Sequence, residues 1–175
     1  MFLVEQGIPV TGVAEVVEPP ELFDWFVARR TALGLTALPL GKDAPAHLLG
    51  ELRRGGVIAL LADRDILGSG VAVDFFGART RLPGGPALLA LRSGAALLTC
   101  AVYQRPHGRY QMIVRPVISV SRKGRLRDDV AALTQVLAHE LEELIGRAPE
   151  QWHMFQPNWP AASDLAAAAT SAERR

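Results

Sequence analysis

The sequence holds one cysteine, Cys100, so no disulfide can close within the chain and it reads as intracellular. Cys100 lies in the apolar run from Ala95 to Val102. That setting predicts a buried, inert thiol, because a reactive thiolate needs an accessible electropositive site. Charge of one sign is also lacking: 19 Lys and Arg stand against 18 Asp and Glu, for a net +1, which argues against a nucleic-acid partner. No stretch reaches the ~18 to 20 uninterrupted apolar residues that span a bilayer. The longest, Ala87 to Val102, is broken by Arg92, Ser93 and Gly94, so any membrane contact is expected to be peripheral. No His or Cys spacing suits zinc, and no metal is predicted. Met1 to Val4 has neither the basic region nor the cleavage pattern of a signal peptide; it opens on apolar sequence, as if inside an element.

What is present is an apolar chain of 175 residues, 49% hydrophobic, a size that fits one domain. That domain is expected over residues 1–160. The alanine-rich stretch 161–175 has no apolar stripe and is expected to be a disordered tail. Strand-like runs, β-branched or continuously apolar, lie at Val10–Val17, Thr36–Leu40, Val57–Ala62, Val71–Phe76, Ala95–Tyr103 and Tyr110–Val120. Between them come helical patterns at Glu21–Leu33, Ala46–Arg54 and Pro86–Arg92, the last begun by proline and ended by Gly94. Asp128–Ile145 places Val130, Leu133, Leu137, Leu141 and Leu144 on one face, with acids in its first turn and Gly146 after it. Alternation of this kind predicts an α/β fold, a mixed and mainly parallel sheet flanked by helices, with one antiparallel hairpin at the Arg105–Arg109 link.

Arg105, Arg109, Arg115, Arg122, Lys123, Arg125 and Arg127 follow one another with no acid among them. They make either a contact for an anionic surface or a solvated rim.

Two segments could carry chemistry. GGVIALLADRD, Gly55 to Asp65, sets Asp63, Arg64 and Asp65 just past a strand expected to be buried, where ligands of α/β sheets gather. Two acids around an arginine make either a self-neutralising loop or a carboxylate held ionised to orient a base. Downstream, Arg79 and Arg81 precede Leu82-Pro83-Gly84-Gly85-Pro86 and a helix. The free N–H groups at such a start can bind an anion, and the arginines can add bidentate phosphate contacts; a tight turn with surface arginines is the equal alternative. Neither the dinucleotide nor the P-loop fingerprint is matched.

Read together, Gly55 to Ala87 resembles the LADRD, FFG and GPA signature of the lipid A biosynthesis acyltransferases, within the lysophospholipid acyltransferase superfamily. Trp152-His153-Met154-Phe155-Gln156 and the leading stretch Gly7 to Leu35 are similar to the phosphatidylinositol mannoside acyltransferase branch. The resemblance implies a glycerol-3-phosphate-acyltransferase-like fold truncated at its amino terminus. It also implies transfer of a palmitoyl-like chain from acyl-CoA, as co-substrate rather than cofactor, to a mannose hydroxyl of a glycolipid. The setting would be the cytoplasmic face of the plasma membrane, in peripheral contact with anionic lipid. The family's base is the histidine of an HxxxxD motif. Here the residues five places after His47, His107, His139 and His153 are Leu52, Met112, Leu144 and Asn158; the motif is expected upstream of Met1, and a non-catalytic lipid or acyl-CoA binder is the alternative for this chain. By the same resemblance Asp63 and Glu15 take catalytic places, Asp63 supporting the histidine and Glu15 on the acceptor side. Arg30 would line the polar end of the pocket, and Arg64 with Gly84 and Gly85 would neutralise phosphate or the thioester region. His153, between aromatics, reads as packing rather than catalysis, and Trp152 and Trp159 would suit interfacial anchoring.

Overall fold

The computed structural model describes residues 2–41 and 43–159, so the expected tail at 161–175 lies outside the described residues. The order of elements is α1 (Phe2–Glu5), β1 (Val10–Ala14), α2 (Pro20–Ala32), β2 (Leu35–Pro39), α3 (Ala44–Arg53), β3 (Val57–Ala59), β4 (Val71–Phe75), β5 (Ala78–Leu82), α4 (Gly85–Ser93), β6 (Cys100–Arg105), β7 (Arg109–Val114) and α5 (Leu126–Ile145). The chain divides into two compact units, one running to Leu61 with Leu88–Ala95 added, the other made of Ala62–Ala87 and the residues from Ala96 on.

In the first unit β1 lies between β2 and β3, parallel to both, and α2 and α3 make the crossovers that parallel pairing requires. Pro20 occupies the first turn of α2, where its missing N–H costs nothing, and Arg29 and Arg30 in the last turn complement the helix dipole. Gly55, at φ 81°, takes the left-handed conformation that ends α3.

The second unit is antiparallel. Its β4–β5 hairpin pairs Val71 with Leu82 and Phe75 with Ala78, and its core gathers Val73, Phe75, Leu82 and Ala138. The helix α5 buries Leu133, Leu137 and Leu144, as their spacing predicts, along with Thr134 and Ala138. Two side chains of α5 reach the hairpin's backbone. The Gln135 amide bonds both the N–H and the carbonyl of Asp74, at 2.8 Å each, and Glu142 accepts from the Phe76 N–H at 2.5 Å. On β6, buried Tyr103 donates its hydroxyl to the Leu144 carbonyl at 2.6 Å, satisfying one of the acceptors a helix leaves open at its C-terminus.

The mixed α/β class and the Arg105–Arg109 hairpin are as expected, but the antiparallel part is larger. Arg79 and Arg81 lie on a strand, β5, which is not among the expected strands. The reversal is made by Phe76 (φ 50°) and Gly77 (φ 74°), two left-handed residues in the manner of a type I′ turn. The strand expected over Val57–Ala62 ends at Ala59 and has exposed positions at both ends. Cys100 is exposed, not buried, because it heads β6 with its side chain on the open face. Its thiol is nevertheless pushed up by partial burial, which disfavours the thiolate.

From the basic stretch, Arg115 is held by Glu140 through two hydrogen bonds, at 2.6 and 3.3 Å. These bonds hold the Glu140 carboxyl below its ordinary range, against the opposing effect of burial. A depressed folded-state value means stability that is present above the unfolded value of ~4.3 and lost as pH falls through the folded value. The urea midpoint of wild-type protein should therefore exceed that of Glu140→Gln at neutral pH, and the gap should close on acidification below about pH 4. A gap that persists unchanged at pH 3 would show that the ion pair is not its source.

Candidate functional site

Asp63 and Arg64 lie in the second unit, in a half-buried loop without regular structure, and the segment after α5 folds back onto them. The Trp152 indole Nε1 donates to Asp63 Oδ2 at 2.8 Å. Asn158 Nδ2 donates to the Asp63 carbonyl at 3.0 Å, and Arg64 Nη1 donates to Gln156 Oε1 at 2.8 Å. The segment is anchored on the hairpin as well: Trp159 Nε1 donates to the Phe75 carbonyl at 3.1 Å, and Thr80 Oγ1 donates to the Asn158 carbonyl.

The anchor is aromatic. Trp159 stacks on Phe75 at 5.9 Å between centroids, and Trp152 meets Phe75 edge-on at 6.0 Å and Phe76 at 6.1 Å. Phe75 itself is fully buried. A buried indole must find an acceptor for its N–H, and here the acceptors are the two groups that most need fixing, a loop carboxylate and a strand-end carbonyl. The two tryptophans therefore have intramolecular partners for both of their N–H groups.

Asp65 and Arg81 shape the same loop from below. Asp65 Oδ2 accepts from the Gly70 N–H at 2.6 Å, and Arg81 Nη1 donates to the Gly70 carbonyl at 2.8 Å. A side chain at position 70 would collide with Asp65 Oδ2 at 2.6 Å and the Leu82 carbonyl at 2.7 Å, so glycine is required where strand and loop close up. Arg79 pairs across the hairpin with Asp74 at 3.4 Å, both side chains being mostly exposed. Gly84 and Gly85 differ in kind. A Cβ on Gly84 would lie 2.9 Å from Val71 and 3.2 Å from Val130, whereas one on Gly85, the first residue of α4, would meet nothing within 4 Å.

The remaining two site residues belong to the first unit. Glu15 is exposed directly after the carboxyl end of β1. Arg30 stands in the last turn of α2 with its guanidinium 5.5 Å from the Phe26 ring centroid, a cation–π contact.

Among the described residues no histidine bonds Asp63. His153 is exposed beside Phe155, His139 bonds Gln135 and His47 bonds the Asp43 carbonyl. Likewise among the described residues, no three His, Cys, Asp or Glu side chains form a metal-binding group, and no helix is long and apolar enough to cross a membrane. Sequence reasoning missed Asn158 and Thr80, and it had Gln156 only as part of the Trp152–Gln156 motif. The one local signal was the pair of tryptophans, whose indoles need acceptors.

Residues 1–160 match the family described as bacterial lipid A biosynthesis acyltransferase. The phosphatidylinositol mannoside acyltransferase of Mycobacterium tuberculosis is 41% identical over 164 residues, which is 92% of this chain and 50% of that protein. The protein of the same name in Mycolicibacterium smegmatis is 42% identical over 164 residues, covering 92% of this chain and 52% of its own. The chain thus spans about half the length of the curated relatives it matches. The matched residues 1–160 include the Asp63 loop, the β4–β5 hairpin and the segment that folds over them, and the chain belongs to the bacterial lipid A biosynthesis acyltransferase family.

Proposed function

We propose that the chain is the part of a glycolipid acyltransferase that receives the acceptor and supports the catalytic base. The reaction moves a palmitoyl-like chain from acyl-CoA to a mannose hydroxyl of a phosphatidylinositol mannoside. The observation that carries this reading is the identity of 41% across 92% of the chain to proteins bearing that name. A histidine base, which these 175 residues do not provide in an HxxxxD motif, takes the hydroxyl proton. The alkoxide oxygen then attacks the thioester carbonyl, the C–S bond breaks, and the departing CoA sulfur takes up the proton. Asp63 orients the base, Glu15 and Arg30 meet the acceptor side, and Arg64, Arg79, Arg81 and the Gly84-Gly85 turn face the donor's anionic part. No metal takes part in this scheme. Contact with anionic lipid at the cytoplasmic face of the plasma membrane would present both substrates.

Among the described residues no histidine bonds Asp63, and the second reading is a non-catalytic binder of lipid or acyl-CoA. Product analysis decides between them. A longer form carrying an HxxxxD motif amino-terminal to these residues, incubated with palmitoyl-CoA and a phosphatidylinositol mannoside, should yield the glycolipid with one added palmitoyl group on mannose. Binding of both substrates without product would leave the binder.

A further inference from the structure

We infer that Trp152 is a positioning residue for Asp63, setting the direction in which that carboxylate faces its base. The inference rests on the reading of Asp63 given under Proposed function. Asp63 sits in a loop, where nothing in a strand or helix ladder would fix its side chain. Three side chains of one short segment supply the missing constraints: Asn158 holds the Asp63 carbonyl, Gln156 holds the neighbouring Arg64, and the Trp152 indole engages Oδ2. The indole is itself set by packing on Phe75 and Phe76, a buried and rigid support of the kind that functional groups need if they are to stay within reach of their targets.

With Oδ2 occupied, the second oxygen, Oδ1, takes no hydrogen bond among the described residues. It is an oxygen of the carboxylate left wholly open to accept the N–H of an imidazole.

Trp152→Phe keeps an aromatic ring in the cluster and removes only the N–H. In the longer, HxxxxD-bearing form it should lower kcat about tenfold, the scale of a lost hydrogen bond to a charged group, with both KM values within about twofold. In an Asp63→Asn background the same change should cost less than about twofold, because its effect passes through Asp63. An unchanged kcat, or full losses that add, would overturn the positioning role while leaving Asp63 in place. If Asp63→Asn alone left kcat untouched, the role of Asp63 would fall and this inference with it. A second measurement needs no turnover. In the 175-residue protein the Trp152 indole N–H resonance should shift on Asp63→Asn while those of Trp25 and Trp159 stay. A stationary Trp152 signal would overturn the contact itself.

Discussion

Phe75→Ala should lower the stability of the second unit by about 3 to 5 kcal/mol, the range for emptying a fully buried aromatic position. Phe75 is 0% exposed and touches Phe76, Trp152 and Trp159 at ring separations of 4.8 to 6.0 Å. No neighbour can fill its place cheaply, since Val73, Leu82 and Ala138 are already packed around it. Against a total of roughly 5 to 15 kcal/mol for an ordinary domain, such a loss leaves little. Guanidinium titration followed by tryptophan fluorescence would read it. A change below about 1 kcal/mol would mean that the aromatic cluster is not the support on which the segment 152–159 rests.

The second large effect is on rate. In an HxxxxD-bearing form, Asp63→Asn should reduce kcat by about 100- to 10,000-fold, the span that general acid–base catalysis contributes and that loss of an orienting carboxylate forfeits. Stability should barely move, because the amide oxygen of asparagine can still accept from Trp152 Nε1 where Oδ2 did, at 2.8 Å. Retention of more than a tenth of wild-type kcat would remove Asp63 from the chemistry.

The parts of this molecule that announce themselves in the sequence are those governed by neighbours close along the chain. The buried face of α5 follows from leucines three and four apart, and the β6–β7 hairpin from Pro106 and Gly108 in a short link. By contrast β5 escaped notice. Its residues alternate two arginines with Thr80 and Leu82, a pattern that also describes a polar loop. Its turn puts Phe76 where asparagine or aspartate is the usual signal for left-handed backbone. The loop of Asp63 and Arg64 was recognisable by type, two acids around an arginine past a strand. Its partners were not, since Trp152 and Asn158 lie 89 and 95 residues away along the chain. A contact at that separation is set by how α5 returns the chain to the hairpin, and no local pattern encodes it. Asp65 and Arg81 show the complementary difficulty. Both are bonded to Gly70, a pairing that no local pattern announces.

The most direct measurement is transfer of labelled palmitoyl from palmitoyl-CoA to a phosphatidylinositol mannoside, run in parallel on the 175-residue protein and on a form extended through an HxxxxD motif. If Asp63 orients a base that lies outside these residues, then, with no histidine bonded to it among the described residues, the shorter protein should transfer nothing above buffer and the extended one should acylate the glycolipid. Turnover by the 175-residue protein, abolished by His153→Ala, would contradict the account and make His153 the base.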